Sequence, residues 1–252
     1  MRRLPRRLGY GEEATLVEHL EELRVRLFVV LGALAVATIV AFVFHTHILD
    51  WLNRPLHGHK TVTFGVAEPF TVTLTVSLWA GFVLSLPVTL WQLWGFFAPA
   101  FDPTFERKAL ALVTVASGLA VAGLAFGYWI LLPRAIHWLT NYDKHNFIHL
   151  IQARPYYSFV TTVLVGIVVI FECPIVVLGL VRTGVLTSRA LRRNRRLGYF
   201  LTAVVALALP GPDLYTTFLE LLPMWVLFEA SIWLAVLVER RAAAAPTPVP
   251  SR

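Results

Sequence analysis

Polar residues all but vanish from six stretches of this chain: Leu27–Phe44, about Phe70–Trp94, Ala109–Leu132, Tyr156–Val181, Leu197–Leu209 and Leu214–Val238. Within each, apolar residues continue without the alternation of a half-buried strand, so the pattern predicts helices. A helix rises 1.5 Å per residue, and about 20 apolar residues cross a hydrocarbon core of about 30 Å. The stretches predict an all-α polytopic membrane protein with six transmembrane helices. The fifth is the exception, because its 13 residues reach only about 20 Å. Either its helix begins earlier, with Arg195 and Arg196 snorkelling to the interface, or the bilayer thins around it. Pro87, Pro133, Pro174 and Pro223 fall inside or at the edges of spans. They predict kinks, and hence a curved, concave bundle.

The flanks carry a different pattern. Leu16, Leu20, Leu23 and Leu27 recur at helical spacing, while Glu18, Glu22 and Arg26 share another face at i, i+4 intervals. This predicts an N-terminal amphipathic helix lying along the cytoplasmic interface before the chain turns into the first span. Residues 242–252, "AAAAPTPVPSR", read as a disordered cytoplasmic tail, leaving residues 1–241 as a single membrane domain. The start "MRRLPRRLGYGEEATLVEHLEELRVRL" is charged throughout, so no cleavable signal peptide is expected and the first span stays as an anchor.

Composition agrees with the pattern. Residues of hydrophobic type make up 57% of the chain and charged ones only 15%, too greasy a mixture to clothe a soluble domain. The net charge of +7 does not point to nucleic acid, because Lys and Arg gather at the ends of the apolar stretches. The N-terminus, the loop with Arg107 and Lys108, the segment from Arg182 to Arg196 and the tail hold nearly all of them, against Arg54, Lys60, Arg134, Lys144 and Arg154 on the other side. Six spans put both termini on one side, and the positive-inside rule makes that side cytoplasmic. The lone cysteine, Cys173, can form no intrachain disulfide and reads as small packing.

Candidate chemistry is sparse. In "VGIVVIFECPIVVLGLV", residues 165–181, Glu172 stands about 15 Å from Arg182, close to mid-bilayer. An ionisable group there costs about 2.5–3.5 kcal/mol on insertion scales and is more often functional than tolerated. Glu229 counts to a similar depth from Arg240, so the two acids could flank one polar pocket; equally, Glu229 could be a neutral acid bonded to a neighbouring backbone carbonyl. Glu106 opens the third span beside an aromatic-rich stretch containing Trp94, Phe96, Phe97 and Phe101. His45, His47, His57 and His59 do not form a closed metal-ligand set. No nucleophile and base are paired, because Cys173 and Glu172 are adjacent and point apart on a helix; no GxxxxGK[ST] phosphate loop occurs. The residues thus point to neither enzyme nor cofactor. A proton-coupled secondary transporter of small solutes is the alternative, since an intramembrane acid serves as a proton site there. Against it, no internal repeat stands out and most polar residues lie at the cytoplasmic edge.

Three strings occur in a telling order: "HLEELRVRL" before the first span, "FFAPAFDPTFER" before the third and "FECP" within the fourth. With "AEPF" at 67–70, "PGPD" at 210–213 and "PMWVLFE" at 223–229, the chain resembles the C subunit of the twin-arginine protein translocase, the TatC family, from about Leu16 to Arg241. The resemblance implies a receptor in the cytoplasmic membrane for signal peptides of folded cargo that carry consecutive arginines. It further implies an oligomeric assembly, in membrane lipid, with single-span A-type and B-type subunits, driven by the proton gradient. The family's recognition acids fall on Glu22 and Glu106, framed by Arg24, Arg26 and Phe96. Two arginines call for two carboxylates, each accepting a guanidinium fork. Glu172 falls on the family's intramembrane acid, expected with Glu229 to meet a partner helix. Pro55 and Asp213 fall on positions expected to shape the outer cap. The chain departs from the family pattern at Thr217, where a glutamine is common, and at Glu220, an acid at a position usually apolar.

Overall fold

The computed structural model describes residues 16–56, 60–97, 109–142, 150–182, 184–209 and 214–243. These residues are helical, apart from connecting turns and one isolated parallel bridge between Val62 and Gln152. In chain order the helices are α1 (Leu16–Val43), α2 (His45–Asn53), α3 (Glu68–Phe97), α4 (Ala109–Phe126), α5 (Leu132–Asn141), α6 (Ala153–Phe171), α7 (Cys173–Arg182), α8 (Ser188–Arg193), α9 (Arg195–Ala208) and α10 (Leu214–Ala243).

Five stretches are long and apolar enough to cross a membrane: His19–Val43, Glu68–Phe96, Leu110–Asn141, Ala153–Arg182 and Leu214–Arg240. The fifth predicted span corresponds to α9, which begins early, at Arg195, yet has only 14 residues, about 21 Å of rise. One expectation needs correction. The N-terminal amphipathic stretch is not a separate interfacial helix but the first turns of α1, which continues unbroken to Val43. Neither Gly nor Pro interrupts residues 16–31, and the Glu22–Arg26 pair ties one turn to the next, so nothing ends the helix at the interface. The predicted tail lies outside the described residues from 244 onward.

Two of the prolines sit where the helices change character. Pro133 follows a π-helical turn at Gly127–Leu131, in which the Leu132 N–H reaches back five residues to the Gly127 carbonyl. Pro174 follows the break at Glu172 that divides α6 from α7. A proline ring removes one N–H and crowds the carbonyl four residues earlier, so the chain loosens or breaks just before it.

α1 lies along α3, which also packs on α4 and α6; α4 packs on α6, and α10 on α7 and α9. The α1–α3 crossing is tight, since a Cβ on Gly81 would collide with the Thr38 backbone. α6 forms the centre of the core, with Val160, Val163 and Ile167 fully buried beside Leu131 and Leu132.

At one end of the bundle, α2 and the turn Arg54–Leu56 form a cap, with Leu52, Pro55 and Leu56 buried. The last carbonyls of a helix lack intrahelical donors; here the Arg54 N–H caps the Trp51 carbonyl and tyrosines add further donors. Tyr128 Oη donates to the Trp51 carbonyl at 2.8 Å and Tyr156 Oη to the Leu52 carbonyl at 2.6 Å. Tyr157 Oη donates to Asn53 Oδ1 at 2.9 Å, and Trp51 stacks on Tyr128 at 3.6 Å between centroids. Glu68 joins the two loops of this end. Its carboxylate accepts from the backbone N–H groups of Phe64 (2.9 Å), Gly65 (3.2 Å) and Arg154 (3.0 Å), and from Gln152 Nε2 (3.3 Å).

The opposite end gathers the start of α1 and the ends of α3, α7 and α10. His19 stacks on Phe96, Trp94 lies against Gly179, and Glu239 accepts from the Ser188 N–H at 2.7 Å. The first and last described helices therefore have their outer termini at the same end.

Candidate functional site

The polar site at this end is built by α1 and α3. Residues 19, 22 and 26 follow one another at i, i+3 and i+4 spacing along α1, and this face meets the final turns of α3. Arg26 Nη2 donates to Glu22 Oε1 at 2.5 Å and its Nε to the same oxygen at 3.1 Å. Its Nη1 reaches the carbonyl of Gln92 at 3.4 Å. The guanidinium passes over Gly95, where a Cβ would collide with Nη1, so glycine is required for this approach. His19 and Phe96, with ring centroids 4.5 Å apart, close one side.

The carboxylate of Glu22 is asymmetric. Oε1 holds Arg26, whereas Oε2 is buried and accepts no hydrogen bond among the described residues. The side chains of Glu22 and Arg26 are only 16% and 21% exposed. Charge in such a half-desolvated place acts more strongly than at an open surface, and a buried acceptor without a donor costs free energy. Oε2 is therefore poised for an additional donor.

Of the expected recognition residues, the structure brings together Glu22, Arg26 and, through His19, Phe96. Arg24 points elsewhere, with its guanidinium carbon 5.7 Å from the centre of the Phe28 ring one turn along α1. Glu106 and Asp213 lie outside the described residues, as do His57 and His59.

Glu172 sits at the junction of α6 and α7, only 7% exposed, and neither of its carboxyl oxygens has a hydrogen-bond partner among the described residues. Its backbone is satisfied, since its carbonyl accepts from Ile175 and Val176. Glu229 differs. Tyr199 Oη donates to its Oε1, and Arg195 Nη2 lies 3.2 Å from its Oε2. Among the described residues the two acids share no partner, and what binds Glu229 is a side-chain pair from α9 rather than a backbone carbonyl.

Comparison with known proteins bears directly on this arrangement. The family model described as Sec-independent protein translocase protein (TatC) matches residues 18–223. The chain is 37% identical over 230 residues to the Sec-independent protein translocase protein TatCd of Bacillus subtilis, covering 91% of this chain and 95% of that one. It is 30% identical to the TatC protein of Carboxydothermus hydrogenoformans, over 89% and 94% of the two chains. A crystal structure of the twin arginine translocase receptor TatC superposes with a TM-score of 0.78 at 30% identity, covering 88% of this chain and all of that one. A second, in the detergent DDM, gives 0.79 at 29% identity over 86% and 99%.

The chain belongs to the TatC family. It is a membrane-embedded component of a protein translocase, not an enzyme. Within this TatC protein, sequence reasoning missed the Gln92 and Gly95 contacts to Arg26, the tyrosines under α2 and the Glu68 clamp. The clamp joins residues 84 to 86 positions apart, a separation no local pattern reveals. "AEPF" marked Glu68 only as part of a motif.

Proposed function

We propose that this chain is the receptor core of a twin-arginine translocase in the cytoplasmic membrane. In this reading it binds the paired arginines of signal peptides and assembles with A-type and B-type single-span subunits and further copies of itself. The observation that carries the reading is the Glu22 carboxylate: one oxygen already holds an arginine at 2.5 Å, and the other is buried between α1 and α3 with no donor among the described residues. An incoming guanidinium can take the second oxygen. Glu106, three residues before α4 begins, supplies the carboxylate for the second arginine.

The topology follows from parity. Helix termini that meet at one end require an even number of crossings, and α9 supplies a sixth beside the five long helices. The arginine-rich N-terminus and the Arg182–Arg196 segment assign that end to the cytoplasm. The short α9 and the proline-associated breaks favour a curved, concave bundle. Glu172, buried with no hydrogen-bond partner for either carboxyl oxygen among the described residues, is suited to a polar residue of a partner's span.

The test is titration of a twin-arginine peptide into the purified chain, with a twin-lysine peptide as control. Lysine cannot make the bidentate fork. Glu22→Gln or Glu106→Gln should each weaken binding by about 1–3 kcal/mol without disturbing membrane insertion. A Glu22→Gln, Glu106→Gln double variant that binds like the parent overturns the assignment.

A further inference from the structure

Between α9 and α10 lies an open cavity of about 560 Å³ walled by Tyr199, Trp225, Val226 and Glu229. The one carboxylate among the described residues of its wall is engaged by Arg195 and Tyr199, so the remaining described lining is aromatic and aliphatic. Arg195 stands at its rim, one helical turn and about 6 Å along the axis from Tyr199. On either side of it in the chain, α8 and the start of α9 carry Arg189, Arg192, Arg193 and Arg196, all exposed. Among the described residues, two carboxylates face these five arginines, Glu229 from the cavity and Glu239 from the end of α10. The segment keeps an excess of positive charge.

A greasy slot with a cationic rim matches an amphiphile with an anionic head. We infer that this cavity is a binding site for one anionic phospholipid, its phosphate at the arginine-rich α8–α9 end and an acyl chain lying against Trp225 and Val226. Two observations choose this occupant over a peptide helix. The positive excess calls for a negative partner, and the slot continues directly from the charged rim into apolar walls, as a lipid's chain continues from its head. Trp225 and Val226 are both exposed where the chain would lie. The inference does not depend on which side of the membrane this end occupies, nor on the signal-peptide reading.

The experiment places the full chain in phosphatidylcholine nanodiscs containing a minor fraction of phosphatidylglycerol, with bromine on the acyl chains of one lipid at a time. Bromine quenches tryptophan at contact, and subtracting the spectrum of a Trp225→Phe variant isolates Trp225 from the other tryptophans. At equal mole fraction, brominated phosphatidylglycerol should quench Trp225 several-fold more than brominated phosphatidylcholine. Replacing Arg193 and Arg196 together by Gln should remove this preference, by about fivefold for each arginine. It should leave quenching by pure brominated phosphatidylcholine unchanged, which shows that the variant is folded. Equal quenching by the two lipids means an ordinary lipid annulus and overturns the proposal. So does a preference that survives the double substitution, or one displaced by a partner's single span with no change in bound lipid.

Discussion

Glu172 offers a sharp test because its unmet burial and its proposed partner contact pull in opposite directions. It is 7% exposed, and both carboxyl oxygens lack hydrogen-bond partners among the described residues. A carboxyl in an apolar surrounding is cheaper neutral than charged, and even neutral it forfeits its bonds to water. An unsatisfied buried polar group costs about 1–3 kcal/mol. Because the unfolded chain in a bilayer also finds polar partners, the lower part of that range, about 1–2 kcal/mol, applies here. Met has nearly the same length without the unmet acceptors. Glu172→Met should therefore stabilise the isolated subunit, raising its midpoint of thermal unfolding in detergent by about 2–8 °C for a chain of this size. The same variant should lose co-purification with single-span partners and lose export, because the acceptor that a partner would satisfy is gone. Glu172→Gln keeps an acceptor, so it should retain much of the assembly with little gain in stability. A Met variant that is less stable than the parent shows that the carboxyl is satisfied after all; one that is more stable and still assembles shows that Glu172 has no partner.

Three further outcomes follow from other parts of the molecule. Tyr156→Phe removes the donor to the buried Leu52 carbonyl, and should lower stability by about 1–2 kcal/mol in thermal unfolding, with signal-peptide binding unchanged. Gly95→Ala places a methyl where Arg26 Nη1 lies, so the guanidinium must leave Gln92; peptide binding should weaken by about 0.5–1.5 kcal/mol in titration, while the cap formed by α2 keeps its protection in hydrogen exchange. Cysteines at Leu201 and Leu207, both exposed on α9, should crosslink to a B-type partner's span; labelling by lipid-phase reagents that is the same with and without the partner contradicts a docking edge on α9.

Much of this protein was legible along the chain because hydrocarbon is an unforgiving solvent. Every backbone polar group must be bonded within the segment, so a long apolar run has one available structure. That made all six apolar runs helical, one of them, α9, short; of the four prolines expected to kink them, Pro133 and Pro174 lie where helices change character, whereas Pro87 and Pro223 lie within the unbroken α3 and α10. The burial of Glu172 was likewise implicit in its apolar neighbours. What the sequence could not state were pairings across distance. The contacts of His19 and Arg26 with α3 join positions about 70 residues apart. Glu229 looked like the twin of Glu172, being an acid at similar depth in an apolar helix, yet Arg195 and Tyr199 approach only one of them. Depth along a helix is set by counting residues, but the partner of a side chain is set by which helix packs on that face, and only the tertiary structure decides that.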